Sequence, residues 1–246
     1  KIIAIANQKG GVGKTTTAVN LSACLGKLGK KTLIVDIDPQ GNTTSGLGID
    51  PRSIEESIYD CIINDEPMGE VILRTDFEGL WICPSNIDLA GAELELVMKD
   101  KREFVLKRAL SEIKDLFDFI LIDCPPSLGL ITLNSFAATD SILVPIQCEY
   151  YALEGLSQLT NTIKMVKKQL NPSLSMEGVL LTMFDARTNL SIQVVEEVKK
   201  FFGNKVYGTI IPRNVRLAEA PSYGQPITIY DPRSAGAESY RLLAEE

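Results

Sequence analysis

Lys9-Gly10-Gly11-Val12-Gly13-Lys14-Thr15-Thr16 follows the short apolar run Ile2-Ile3-Ala4-Ile5-Ala6 and reads as a buried strand feeding a glycine-rich loop that opens a helix. A loop that wraps a phosphate chain needs backbone N–H groups close to the oxygens and residues that tolerate positive φ, which Gly10, Gly11 and Gly13 supply. Lys14 is placed to reach the β- and γ-phosphates as a point charge, and the Thr15 hydroxyl to meet Mg²⁺. Thr16 and the rest of the first turn add the positive end of the helix dipole. Together these features imply a nucleoside triphosphate with Mg²⁺. Gln8 stands where the general phosphate-loop pattern has its first glycine, and Lys9 is an additional lysine inside the loop.

The chain has 246 residues, of which 45% are hydrophobic, enough for one substantial core. One domain spanning residues 1–246 is expected, because no Pro/Gly/Ser-rich linker, low-complexity tract or internal repeat interrupts the sequence. No apolar run approaches the roughly eighteen residues needed to cross a bilayer, and the N-terminal apolar stretch is too short for a cleavable signal. A soluble cytoplasmic protein is expected. The five cysteines (Cys24, Cys61, Cys83, Cys124, Cys148) lack C-x-x-C spacing and read as reduced thiols. Histidine is absent, which excludes imidazole acid–base chemistry and His-dependent triads and leaves carboxylates, lysines, metal and backbone.

Apolar runs at Thr32–Val35, Leu80–Cys83, Phe119–Ile122, Ile142–Ile146, Val179–Met183 and Val206–Ile211 read as short buried strands. Helix-length segments at Thr15–Leu28, Glu103–Leu116, Ala152–Leu170 and Ser191–Phe202 lie among them. Continuous apolar strands separated by helical crossovers predict an α/β fold, a mostly parallel twisted sheet with helices on both faces and the nucleotide loop at the carboxyl ends of the strands. In the segment Ala152–Leu170, the residues Leu153, Leu156, Leu159, Ile163, Val166 and Leu170 form a core-facing stripe.

Strand Thr32–Val35 runs into Asp36-Ile37-Asp38-Pro39-Gln40-Gly41-Asn42, two carboxylates that share a face in an extended segment. Phe119-Ile120-Leu121-Ile122-Asp123-Cys124-Pro125-Pro126 is an apolar strand ending in an acid, the Walker B pattern, with Asp123 the expected Mg²⁺ holder. The net charge of −7 is uneven: residues 160–216 carry nine basic against four acidic residues. Such a local excess can meet phosphates where the global sign would not.

The run from Lys9 to Thr16 resembles the deviant Walker A motif, K-G-G-x-G-K-[ST], of the ParA/MinD ATPases. Asp38-Pro39-Gln40-Gly41-Asn42, Asp123-Cys124-Pro125-Pro126, the run Arg213–Ser222 and Tyr230-Asp231-Pro232-Arg233-Ser234 extend the likeness nearly end to end, toward chromosomal ParA proteins of the Soj type. The resemblance implies a P-loop fold and ATP hydrolysis, with Lys9 crossing a homodimer interface to the partner's nucleotide. It also implies that Asp36 supports the metal and the phosphate loop, Asp38 positions the attacking water, and Pro212 and Asn214 line the adenine pocket. Arg187 and Arg216 match DNA-contacting positions; Lys164, Lys167, Lys168, Lys199, Lys200 and Lys205 are secondary candidates. The implied function is partitioning of chromosomes or plasmids by a nucleoid-associated, ATP-dependent dimer that binds double-stranded DNA nonspecifically and is released when a ParB-type partner stimulates hydrolysis. A role in replication or sporulation control accompanies it in some members.

Three other readings share parts of this pattern. A MinD-like division-site regulator is expected to finish in a basic amphipathic membrane helix, whereas this sequence ends in the short, acidic Ser239–Glu246, so no stable membrane association is expected. The chain begins without Met, and incomplete termini are expected. A nitrogenase-iron-protein-like reductase would hold a cluster through paired cysteines, but Cys124 has no second cysteine at partner spacing. A nucleotide-binding scaffold that does not hydrolyse has the same motifs and separates from the ATPase by phosphate release.

Overall fold

The computed structural model describes residues 1–149 and 154–246. Seven strands, β1 (Ile2–Ile5), β2 (Thr32–Asp36), β3 (Leu73–Arg74), β4 (Leu80–Cys83), β5 (Phe119–Asp123), β6 (Ser141–Gln147) and β7 (Ser175–Thr182), form one sheet in the order β3-β4-β2-β5-β1-β6-β7. Only the two-residue edge strand β3 pairs antiparallel among the described residues. The other pairs are parallel, as the helical crossovers require.

Side chains alternate along each strand, so every strand feeds two cores. Ala4, Val35, Ile122, Val144 and Leu181 pack with the helices Val105–Ser111, Leu130–Ala138, Glu154–Gln169 and Asn189–Phe202 on one face. Ile5, Ile34, Leu121, Leu143 and Leu180 pack on the other face with α1 (Lys14–Lys27) and the last helix, Ala235–Glu245. This double coverage explains why the strands read as unbroken apolar runs. Pro145 is tolerated inside β6 because β1 pairs only as far as Leu143, and no neighbour there needs its missing N–H.

Three elements depart from the sequence reading. Val206–Ile211 is not a strand; it runs beside β7 through an isolated bridge at Val179 and two backbone bonds, Tyr207 N–H to Val179 O (3.0 Å) and Ile211 N–H to Leu181 O (2.9 Å). The amides between them, at Gly208 and Thr209, donate instead to the Glu246 carboxylate at 2.7 and 3.0 Å, which removes them from any ladder. The segment Glu103–Leu116 holds an α-helix only over Val105–Ser111, with 3₁₀ turns at Arg102–Phe104 and Lys114–Leu116. Strand β7 begins at Ser175 and stops before Met183, whose φ is 52°. In the helix Glu154–Gln169, Leu156, Leu159, Ile163 and Val166 are buried; Leu170, just past its end, is half-buried, and Leu153 lies outside the described residues.

Helix α1 is fixed along its length. It ends where Gly29 (φ 78°) lets Gly29 N–H and Lys30 N–H turn back onto Gly26 O and Leu25 O. At Gly26 it passes the turn before β4 so closely that a Cβ would collide with the Glu78 carbonyl oxygen. Asn20 donates to Thr16 O (2.8 Å) and accepts from Ile227 N–H (2.6 Å), and the fully buried Tyr240 shares a 3.1 Å hydroxyl contact with Thr17. Tyr240→Phe is expected to lower the unfolding free energy by about 1 kcal/mol through that lost hydrogen bond. Tyr240→Ala is expected to lower it by about 3–5 kcal/mol through the cavity left behind. Urea titration of the two variants checks both values.

Candidate active site

The parallel register assembles the site. Asp36 at the end of β2 lies directly beside Asp123 at the end of β5, and Asp123 lies beside Ile5 at the end of β1, from which the glycine loop departs. Both carboxylates face the α1 side of the sheet and both are buried. Gly11 (φ 73°) and Gly13 (φ 87°) hold left-handed conformations that residues with a Cβ rarely adopt. Val12 is buried and its carbonyl accepts from the Thr182 hydroxyl at 2.9 Å, which ties the loop to the end of β7. Asn7 fixes the loop's entry, its amide donating to Pro145 O (2.8 Å) while its Oδ1 accepts from Lys9 N–H (3.0 Å).

Lys14 folds back along the loop, its ammonium donating to Lys9 O at 3.1 Å. Burial pulls its pKa below the ordinary lysine value, opposed chiefly by the charge of Asp123. The Thr15 and Thr43 hydroxyls donate to the same oxygen of Asp123, Oδ2, at 2.8 and 2.7 Å. The other oxygen, Oδ1, is buried and has no partner. Burial raises the Asp123 carboxyl to about 6 despite those two donors. Asp36 reaches about 7, first through burial and then through repulsion from Asp123. Both Asp36 oxygens are already committed, Oδ2 to Thr44 N–H (2.9 Å) and Thr44 Oγ1 (2.7 Å), and Oδ1 to Asp38 N–H (3.2 Å).

The donor set fits a hard divalent cation. Among the described residues no lysine or arginine forms an ion pair with either buried carboxylate, and Asp123 presents an unpartnered oxygen while its other oxygen takes the Thr15 hydroxyl. Asp123 and Thr15 are therefore the residues suited to hold Mg²⁺, while Asp36 anchors the loop that carries Asp38. Gly10, Gly11, Gly13, Lys14, Thr15, Thr16 and Asp38 line one open cleft of about 530 Å³ together with Gln40, Asn42, Pro126 and Met183. Lys9, which precedes the lining residue Gly10, is half-buried and is not part of the lining.

The remaining candidates lie apart from this cleft. Pro212 bridges to Phe184, one residue beyond Met183, and Asn214 caps the helix Val215–Glu219 by accepting from Arg216 N–H at 2.8 Å. Arg187 is exposed and forms a two-pronged pair with Asp185 (2.8 and 2.7 Å). Arg216 pairs with Glu219 at 2.8 Å and Asp231 at 3.5 Å. Cys124 is buried, its thiol pushed up to about 12 by desolvation. The sequence reading missed Asn7, Thr43, Thr44 and Thr182 as working residues. The first three sit beside quoted motifs, but nothing local shows that Thr182 meets a loop 170 positions away.

A family profile described as an AAA domain matches residues 1–176. The sporulation initiation inhibitor protein Soj of Bacillus subtilis (strain 168) is 63% identical over 246 residues, covering 100% of this chain and 97% of the relative. The chromosome partitioning protein ParA of Myxococcus xanthus (strain DK1622) is 57% identical, covering 100% and 87%. The chain belongs to the ParA/Soj family of ATPases. Among solved structures, this ParA/Soj-family fold is similar to a cobyrinic acid a,c-diamide synthase from Mycobacterium smegmatis with bound ADP and magnesium (40% identical, TM-score 0.88, covering 100% of this chain and 92% of the other). The septum site-determining protein MinD of Pyrococcus horikoshii, complexed with Mg-ADP, is more distant at 28% identity (TM-score 0.84, covering 100% and 94%).

The raised carboxyl pKa values set a pH dependence for the metal-free protein. A carboxyl whose folded pKa exceeds its unfolded value keeps its proton longer in the folded state, so its contribution to stability is intact below about pH 4 and is lost as pH rises toward the folded value. For Asp36 that loss runs from about pH 4 to about 7. In EDTA without nucleotide, Asp36→Asn is expected to exceed wild type in stability at pH 8 by on the order of 2 kcal/mol and to match it near pH 4. Urea titrations across that range check the crossover.

Proposed function

We propose that residues 1–246 act as one Mg²⁺-dependent ATPase domain of a chromosome- or plasmid-partitioning system, in which hydrolysis requires a homodimer. The observation that carries this reading is the unpartnered Asp123 Oδ1 beside Thr15, under a loop whose cation, Lys14, is already desolvated. Bound Mg²⁺ would supply charge neutralisation across the β- and γ-phosphates. The glycine loop binds the phosphate chain through backbone N–H groups, and Lys14 exchanges its contact with Lys9 O for a phosphate oxygen. Asp38, held at the cleft by its own backbone bond to Asp36, orients the attacking water.

Lys9 has a separate part. Its backbone is pinned by Asn7, yet no carboxylate pairs with its ammonium among the described residues, which leaves that charge free to meet a nucleotide held by a second copy. Such a cation delivered in trans acts as an arginine finger does. The ADP and magnesium bound in the Mycobacterium smegmatis and Pyrococcus horikoshii structures support the choice of ligand. The partitioning role rests on the Myxococcus xanthus relative named for it, whose 57% identity favours it over a MinD-like role supported at 28%.

On this reading the ATP-bound dimer binds double-stranded DNA nonspecifically through Arg187 and Arg216, and a ParB-type partner stimulates hydrolysis and release. Their pairs with Asp185, Glu219 and Asp231 lie at the surface, where screening makes an ion pair easy to exchange for a phosphate. A nucleoid-associated cytoplasmic location follows from that role.

Lys9→Ala and Asp38→Ala are each expected to lower turnover at least about 100-fold while the protein stays folded and still binds Mg-nucleotide. Wild-type phosphate release from either variant removes the assigned role. ATP-dependent gel shifts of random duplex DNA are expected to weaken in Arg187→Glu and Arg216→Glu, with a shallower salt dependence. Unchanged shifts at moderate salt displace the DNA surface from these arginines.

A further inference from the structure

After β4 the chain crosses the carboxyl edge of the sheet in a 3₁₀ turn, Ile87–Gly91, and a short helix, Ala92–Leu96. One side of this element is anchored in the core through Leu89, Ala92 and Leu96, all fully buried. Its exposed side carries Ile87 and Leu94, seven residues apart, and continues into Val97 and Met98 of the turn that closes the element, three and four residues beyond Leu94. Leu94 is 80% and Met98 86% exposed. Scattered exposed apolar residues need no explanation, but four on one firmly anchored element mark a contact surface.

The charge around the stripe selects what covers it. Residues 50–103 carry 14 Asp and Glu against 5 Lys and Arg, an excess of nine negative charges in a chain whose total is −7. Asp88, Glu95 and Asp100 are exposed at the stripe, and Tyr59 holds the Glu95 carboxylate in place with its hydroxyl at 3.0 Å. Of the nearby cations, Lys99 is tied to Asp65 and Arg102 to Glu103, and the exposed Lys101 is the one left unpaired among the described residues, against the exposed Asp88, Glu95 and Asp100. A second copy placed symmetrically on the stripe would bring these carboxylates against their own duplicates, and an anionic lipid surface would be repelled.

We propose that the stripe docks a basic amphipathic helix of a partner protein, whose apolar face covers Ile87, Leu94, Val97 and Met98 while its cations meet Asp88 and Glu95. The surface leads directly to the active site. Glu93 packs against Gly129 and accepts from Ile131 N–H at 3.5 Å, at the start of the helix that follows Asp123 and Pro126. On the opposite flank, Ser85 N–H donates at 3.0 Å to the Thr44 hydroxyl that holds Asp36. The inference rests on the ATPase reading above in one respect, that the docked helix is the one through which a ParB-type partner stimulates hydrolysis.

The test uses a fluorescein-labelled Leu/Lys amphipathic peptide of about five helical turns, its Leu/Glu counterpart and a scrambled Leu/Lys control, followed by anisotropy at physiological salt. The Leu/Lys peptide is expected to bind wild type and to bind the Leu94→Ser, Met98→Ser double variant at least about tenfold more weakly, with the controls weak on both. Basal hydrolysis and ATP-dependent dimerisation are expected to persist in the double variant, and stimulation by the ParB-type partner to disappear. Equal peptide affinity in the two proteins, or equal binding of the Leu/Glu peptide, overturns the surface. Loss of ATP-dependent dimerisation in the double variant also overturns it and assigns the stripe to a second copy. Absence of partner stimulation in wild type counts against the ParB-type partner alone, and the peptide measurement then decides the surface.

Discussion

Two carboxylates buried side by side at the ends of adjacent parallel strands govern this molecule. The register that pairs Asp36 with Asp123 is fixed by the apolar residues behind them, since a slip of one position would turn each strand's side chains to the wrong face. Burial at such a place disfavours ionisation, and repulsion from Asp123 adds to it at Asp36, so both carboxyls are held above the ordinary aspartate value. Hydroxyl and amide donors lessen that tension without removing it, and a divalent cation is the ligand that would resolve it. The hydroxyls come from different places: Thr15 belongs to the first turn of α1 at the end of the phosphate loop, Thr43 and Thr44 to the short helix Asn42–Gly46 that follows Asp38. Whatever alters the charge at Asp123 is therefore felt at once by the loop that binds phosphate and the loop that carries Asp38.

Around this pair the scaffold is over-determined. The phosphate loop is held at its entry by Asn7, in its middle by Thr182 and at its exit by α1, which the last helix pins through Tyr240 and Thr17. Anion recognition by backbone N–H groups needs such stiffness, because groups that must reorganise before binding forfeit much of the benefit of their dipoles. Lys14 shows how the site is kept ready. Its ammonium is desolvated and satisfied by a single neutral carbonyl, a weaker partner than a phosphate oxygen, so exchange toward nucleotide runs downhill.

Most of the architecture was legible in the sequence because the strands are covered on both faces, leaving continuous apolar runs that short composition rules identify. The glycine loop was legible for a different reason: its conformation demands glycine at Gly11 and Gly13, and its chemistry demands Lys14 and Thr15. Val206–Ile211 was misread because strand propensity cannot see that Glu246, far along the chain, captures the Gly208 and Thr209 amides. Strand β3 was missed because two exposed residues carry no periodicity. At the site, Asp36 and Asp123 were found from strand endings, but the distinction between them was not. It depends on which oxygen keeps a partner, a matter of three-dimensional placement by Thr43 and Thr44. The pairing of Arg187 and Arg216 with acids was equally out of reach for Asp231, fifteen positions beyond Arg216.

Those arginine pairs bear on how a chain with net charge −7 could hold DNA at all. Each arginine arrives with its charge largely answered by Asp185, Glu219 or Asp231, and the dense negative segment lies elsewhere, between residues 50 and 103. In a lone chain both arginines are already compensated, so their own contribution to counterion release, the main source of nonspecific affinity, is small. Joining two copies doubles the number of phosphates met and makes the exchange of internal carboxylates for phosphates repeat along one surface. Because affinity is exponential in the summed free energy, a contact too weak to detect singly becomes substantial when paired. On the proposed dimeric reading, arginines shielded by their own acids suit a DNA switch better than free ones, since a single chain would then release the duplex.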